Sequence, residues 1–219
     1  MRNLTTLTLT ACLSAALITG CESTPTRTAV AADHQAAMFG PVAALAGEWT
    51  GTDPASGEDY TIEFSPTANN SAVREIMFPG SPWEMTNLYH MDGDDLVITH
   101  YCAAGNQPRM VTSKAKQTAE GTVYHFDLES VSNLRPEHDH YMGNMTLFIL
   151  NDGSLREEWR SYQRDGSLTE PTTFVMTRTP VPPSRLCRAL LPRPRHRSAH
   201  HRRPARIPRL SSRGHRRRH

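Results

Sequence analysis

The central part of the chain, residues 21–179, lacks the signatures of the common enzyme and nucleotide-binding classes. It contains no G-x-G-x-x-G, no P-loop, no G-x-S-x-G and no H-E-x-x-H, and no internal repeat is visible. These absences remove the usual sequence grounds for dinucleotide binding, for phosphate binding by a Gly-rich loop, and for hydrolase or zinc-protease chemistry.

Long apolar runs are also missing. The longest, over residues 4–18, follows the single charge of Arg2 and is interrupted by threonines. It is shorter than the roughly 20 residues that a helix needs to cross a bilayer. A positive charge before a short apolar run is typical of a secretory signal peptide, which we assign to residues 1–20.

The end of that run carries a second signal, because residues 18–21 read Ile-Thr-Gly-Cys. This resembles the lipobox of bacterial lipoproteins, which implies cleavage before Cys21 and a diacylglycerol on its thiol. The resemblance also places the protein in the cell envelope. Since Glu22 rather than Asp follows, it favours the outer membrane, facing the periplasm, in a diderm host. Residues 21–32 are rich in Thr, Ser, Ala and Pro, and we expect a flexible tether there.

Cysteine is scarce, with four in the chain. Cys12 belongs to the predicted signal peptide and Cys21 is the expected lipid site, so Cys102 and Cys187 remain. We therefore expect no disulfide framework, although an envelope compartment would permit one.

Acidic and basic residues are unevenly distributed. Residues 180–219 contain thirteen Arg and no Asp, Glu or Lys, whereas all 22 acidic residues lie within residues 21–179. With ten basic residues, that central segment has a net charge of −12. Phosphates would be repelled, so we expect no nucleic-acid partner for the folded domain.

The basic segment also lacks Phe, Tyr and Trp. It cannot build a core, so we expect residues 180–219 to be disordered. Three interpretations stay open: a surface for anionic lipid or nucleic acid, an inert solvated extension, or out-of-frame translation of GC-rich DNA. The abrupt change of composition after Arg178 favours the last of these.

Short alternating runs separated by turn residues fill most of residues 33–179, after a predicted helix over residues 34–46 that Gly40-Pro41 would interrupt. Two-residue and three-residue turns join antiparallel neighbours. We therefore predict an all-β domain: a ten-stranded antiparallel up-and-down barrel preceded by a short helix. The candidate strands cover residues 48–52, 59–65, 71–78, 83–91, 95–102, 109–117, 122–130, 140–150, 154–164 and 172–178.

The sequence Gly47-Glu48-Trp49 resembles the entry to the first strand of lipocalin-like (calycin) barrels. That resemblance implies that Trp49 plugs the closed end. The runs at residues 99–102 and 105–110 are similar to a bacterial lipocalin-like family of unknown function. More distantly, the architecture is similar to nitrobindin, a haem-binding barrel. The resemblance covers residues 42–178 and implies a fold rather than an activity.

Alternation along the strands predicts the inner face. Over residues 154–164, Glu157 and Trp159 lie opposite a face of charged residues and should point inward. His100 shares a face with Leu96 and Ile98. His138 and His140 share a face with Phe148, so we expect the three histidines and Glu157 to converge.

Three functions are compatible with such a cluster. The first is non-catalytic binding of a small, largely apolar ligand without a cofactor, in a pocket formed by His100, Tyr101, His138, His140, Glu157 and Trp159. The second is a metal or haem centre, for enzymatic or redox work, with ligands drawn from His100, His138, His140 and Glu157. The third is a structural envelope lipoprotein.

Overall fold

The computed structural model describes residues 26–180. The predicted signal peptide, Cys21, the first half of the expected tether and the basic segment from residue 181 onward lie outside the described residues. Within the described range, no helix is both long enough and apolar enough to span a membrane.

The described chain forms one α-helix, one short 3₁₀-helix (Ala68–Asn70) and eleven strands. The helix, α1, covers Ala32–Ala43 and precedes the first strand. The strands are β1 (Gly47–Thr52), β2 (Asp59–Thr67), β3 (Ala72–Met77), β4 (Met85–Asp92), β5 (Asp95–Tyr101), β6 (Gln107–Thr112), β7 (Ala115–Gln117), β8 (Gly121–Ser132), β9 (Tyr141–Leu150), β10 (Ser154–Tyr162) and β11 (Thr172–Arg178).

The strands close into a barrel. Strands β1 to β6 pair antiparallel in order, β6 then pairs with β8, and β8 to β11 continue in order until β11 meets β1. Short β7 adds to β8 beside β6, so ten strands form the closed wall. The predicted fold class, an all-β antiparallel barrel of ten strands with a short helix before it, is confirmed.

One predicted strand is divided in two. The sequence indicated a single strand over residues 109–117, but the structure interrupts it at Ser113 and Lys114. There the Thr112 hydroxyl donates to the Lys114 carbonyl at 3.1 Å. Both halves still pair with β8, so the break is a local kink in one continuous wall of the barrel.

Helix α1 packs at one end of the barrel. Met38, Phe39 and Val42 are buried in the barrel core, and the hydroxyl of Tyr124 on β8 donates to the Met38 carbonyl at 3.0 Å. The helix runs through Pro41 instead of breaking there, as the sequence had suggested it would. Pro41 removes one backbone donor from the helix, but the buried apolar side chains of α1 hold the helix in place.

Trp49 connects this helix to the barrel. Its side chain is buried, and its indole N–H donates to the Leu45 carbonyl at 2.8 Å. The Arg178 guanidinium lies 4.5 Å from the indole centroid and donates to the Ala44 carbonyl at 2.9 Å. A cation at the carboxyl end of a helix interacts favourably with its dipole, so Arg178 stabilises both the helix end and the tryptophan.

Candidate ligand site inside the barrel

Three polar side chains form a row across neighbouring strands inside the barrel. Glu75 on β3 is the cross-strand partner of Asn87 on β4, which is in turn the partner of His100 on β5. Each is at most 1% exposed. They point inward because Val73 and Met77, which flank Glu75 in the alternation, are core residues.

Hydrogen bonds hold all three members of this row. The Tyr89 hydroxyl donates to Glu75 Oε2 at 2.6 Å. His100 Nδ1 lies 2.7 Å from Asn87 Oδ1. An amide oxygen only accepts, so Nδ1 carries the hydrogen and Nε2 is left as a bare acceptor.

A fourth polar group reaches the row from β10. The buried carboxylate of Glu157 accepts from the indole N–H of Trp159 at 2.9 Å. The Trp159 ring lies 5.0 Å from the His100 ring, between centroids. Glu75, Asn87, His100 and Glu157 together are called the polar layer below.

Each member of the polar layer retains an unused hydrogen-bonding atom. Glu75 Oε1, Asn87 Nδ2, His100 Nε2 and Glu157 Oε1 are buried and have no hydrogen-bond partner. Buried polar atoms are normally paired, and each unpaired one costs about 1–3 kcal/mol. Four in one layer therefore indicate a hydrogen-bonding capacity that the folded chain does not itself use.

Burial dominates the electrostatics of the layer. It raises the pKa of Glu75 to about 7, against the opposing effects of the hydrogen bond from Tyr89 and of the neighbouring Asn87 side-chain amide. Burial, and then the charge of Glu75, hold the pKa of Glu157 well above its usual range. Burial also lowers the pKa of His100 to about 4. No Lys or Arg is among the buried residues of the range 26–180, so no buried cation opposes the upward pKa shifts of the two carboxyl groups. The lowered pKa of His100 leaves its imidazole uncharged at neutral pH.

The barrel end opposite α1 contains an open cavity of about 580 Å³. Three aromatic rings line it: Phe174 lies 5.3 Å from Tyr60 and 5.6 Å from Phe78, between centroids. Trp83 stands at its edge with 71% of its side chain exposed. Acidic side chains, Asp53, Glu58 and Asp59, complete the rim. We call this the mouth cavity.

The mouth cavity adjoins the polar layer. Phe174 lines the cavity and is the cross-strand partner of Glu157. Tyr60 packs over Gly51, where a Cβ atom would lie 2.5 Å from the Tyr60 hydroxyl, so only glycine admits this ring. Phe78 has φ 57° in the left-handed region, which is strained for an aromatic residue and is often found at functional sites.

The structure brings together only part of the predicted site. His100, Glu157 and Trp159 meet in the interior, whereas Tyr101 is 46% exposed on the outer face of β5. His138 and His140 are exposed in the segment before β9. Their backbone carbonyls, rather than their imidazoles, take part in the fold. The Arg164 guanidinium, for example, donates to the His138 carbonyl at 3.0 Å.

The reason for this departure is the inner face of β9. Gly143, Met145 and Leu147 point inward, so the face that carries Phe148 points outward, where the Arg156 guanidinium lies 3.8 Å from the Phe148 ring centroid. The expected convergence of three histidines with Glu157 does not occur.

The same geometry bears on a metal or haem centre. Within residues 26–180, no group of three or more His, Cys, Asp or Glu side chains is placed to hold a metal ion. His100 is 1% exposed, so no opening of porphyrin size adjoins its imidazole. Of the described residues that line the mouth cavity, none is His, Cys or Met. The residues present do not fit a haem.

Sequence reasoning missed Glu75, Asn87 and Tyr89. Alternation along the strand could have identified Glu75, because it lies on the same face as Val73 and Met77. The same kind of pattern on another strand had indicated Glu157. Asn87 and Tyr89 alternate in the same way on β4.

Comparison of the chain with models of protein families finds no match, and comparison with curated proteins finds none either. The assignment of a function therefore depends on the geometry of the barrel interior and its mouth.

Proposed function

We propose that this is a lipid-anchored envelope protein of the lipocalin-like class, whose barrel binds a small, largely apolar molecule through the mouth cavity. The observation that carries the proposal is the aromatic cavity of about 580 Å³ directly beside a buried layer with unused hydrogen-bonding atoms. Small-molecule sites are commonly concave and mostly apolar, with a few convergent polar groups.

The aromatic residues supply the apolar contacts of this site. Rigid rings present large contact areas and lose little conformational entropy on binding. A barrel of about this strand number encloses room for one small ligand. Exposed Trp83 at the rim provides an intrinsic fluorescent reporter of occupancy.

Replacement of Phe174 by Ala tests the cavity. We expect the neutral apolar dye N-phenyl-1-naphthylamine to bind the full-length protein, and F174A to weaken that binding about tenfold, because a buried aromatic contact contributes about 1.5–3 kcal/mol. Val175 is 53% exposed on the opposite face of β11, so V175A is the matched control and should bind normally. Equal binding by wild type and F174A would contradict the cavity as the site.

The lipid anchor has an independent test. Mass spectrometry of the protein extracted from membranes should find an N-terminal peptide that begins at Cys21 and carries diacylglycerol. The C21S variant should lose both the lipid and the cleavage, whereas C102S should keep them. A wild-type peptide that still begins at Met1 would contradict the anchor and leave the barrel proposal intact.

A further inference from the structure

We propose that the ligand is an organic cation, a compact apolar or aromatic body with a primary ammonium group, whose charge is received by Glu75 and Glu157 of the polar layer. The inference rests on the proposed function and names the chemistry of its ligand. It is carried by three features of the interior: the set of unpartnered atoms, the uncompensated acidic groups, and the adjoining aromatic cavity.

The unpartnered atoms suit an ammonium group. His100 Nε2 is an acceptor that lacks a donor, and Glu75 Oε1 and Glu157 Oε1 are unpartnered oxygens that accept once their carboxyl groups ionise. A primary ammonium offers three N–H donors and no acceptor. The fourth atom, Asn87 Nδ2, is a donor on the cross-strand partner of Glu75, and the amide already favours the ionised form of that carboxyl group by lowering its pKa.

The charge of the interior points the same way. Two carboxyl groups lie in the barrel, while no Lys or Arg is among the buried residues of the described chain. A buried carboxylate needs a cationic or hydrogen-bonding partner, which a cationic ligand supplies and an anionic one does not. Asp53, Glu58 and Asp59 at the rim add a negative field that attracts cations toward the mouth.

The apolar body of the ligand would occupy the mouth cavity, next to the polar layer. Tyr60, Phe78 and Phe174 would pack against it, and aromatic faces also attract cations as they pass. Because the polar layer is at most 1% exposed, these rings must move apart to admit the ammonium group.

Binding is coupled to one proton. The ammonium enters charged, one carboxyl group of the layer gives its proton to solvent, and no other bond forms or breaks. Affinity should therefore rise with pH, by about tenfold per unit at most between about pH 5.5 and 7, because the raised pKa of the carboxyl groups keeps them protonated there in the free protein. The titratable groups facing the site are Glu75, Tyr89, His100, Glu157 and, at its edge, Tyr60.

Calorimetry with benzylamine and benzyl alcohol tests the inference, since the two differ chiefly in the ammonium group. We expect the full-length protein to bind benzylamine at least about tenfold more tightly at about pH 7, and to release about one proton per molecule bound, counted in buffers of different ionisation enthalpy. E157Q should lose the preference and the proton release. E158Q, on the outer face of β10, is the matched control and should retain both.

The naphthylamine dye keeps the two proposals distinguishable. If the dye and both small probes bind but benzylamine shows no preference and no proton release, the cation inference is overturned and the apolar site stands. If neither the dye nor the probes bind, both proposals fail. Should E157Q not fold, as judged by thermal melting, E75Q takes its place with the same expected result.

Discussion

Replacing Glu75 by Gln is expected to raise the free energy of unfolding by about 3 kcal/mol at about pH 8, and to change it little at about pH 4. The pKa of Glu75 is about 7 in the folded barrel, against an ordinary value of 4.5. Between these values the folded state keeps a proton that the unfolded chain has lost. The contribution of Glu75 to stability should therefore be complete below about pH 4.5 and be lost as pH rises to about 7. Because the lowered pKa of His100 costs stability in acid, the effect of Glu75 is measured as the difference between wild type and E75Q at each pH.

Glutamine mimics the protonated acid, because its side-chain oxygen can still accept from the Tyr89 hydroxyl. Urea unfolding at the two pH values measures the effect. Glu63 lies on the outer face of β2, so E63Q is the matched control and should leave the pH dependence unchanged. An E75Q variant that gains no stability over the wild type at high pH, or is weaker there, would contradict a buried, uncompensated Glu75.

Truncating Trp159 to Ala is expected to lower the free energy of unfolding by about 3–5 kcal/mol. The side chain is 3% exposed, packs on the His100 ring and donates to Glu157. W159F keeps a six-membered ring in place but removes the indole N–H, so Glu157 Oε2 loses its donor while part of the apolar contact remains. The expected loss for W159F is about 1–3 kcal/mol.

Trp83 provides a control of the same residue type. Its side chain is 71% exposed, so W83A should change stability by no more than about 0.5 kcal/mol. Equilibrium unfolding of the four proteins under one set of conditions gives the ranking. If W159A lowered the free energy of unfolding as little as W83A, Trp159 would not be packed against the polar layer.

Strand alternation predicted the inner face well where one face of a strand is charged. One face of β10 is charged and carries Arg156, Glu158 and Arg160. The opposite face, with Glu157 and Trp159, was therefore predicted to point inward, and both residues are buried. The same contrast exists on β3, where Glu75 is flanked by Val73 and Met77 in the alternation. A charged side chain between core positions is therefore informative even though it runs against hydropathy.

Alternation failed on β9 because both of its faces are apolar. Leu147 and Phe148 are both large and hydrophobic, and the pattern alone does not say which points inward. Because Phe148 was predicted to point inward, His138 and His140, which share its face in the alternation, were predicted to point inward too. The strand in fact begins at Tyr141, and the two histidines belong to the preceding segment, whose backbone is held by hydrogen bonds over long sequence separations.

The mouth cavity was beyond sequence reasoning for a different reason. Its aromatic residues come from β2, the segment after β3, and β11, and Tyr60 and Phe174 are more than 100 residues apart in the chain. These aromatic residues come together because β1 pairs with β11 to close the barrel, and because Gly51 has no side chain to block the Tyr60 ring. Such contacts follow from the register of the closed sheet, which a single sequence does not specify.

The proposals above depend on two buried carboxyl groups with raised pKa values beneath an aromatic mouth, with no Lys or Arg among the buried residues of the described range to neutralise them. Carbon-13 NMR of the glutamate side-chain carboxyl groups, recorded on the full-length protein as a function of pH, measures this directly. We expect Glu75 to titrate with a pKa of about 7, and the pKa of Glu157 to lie well above 4.5. Titration of both groups near the ordinary value of 4.5 would show a hydrated or charge-compensated interior, and would contradict the account.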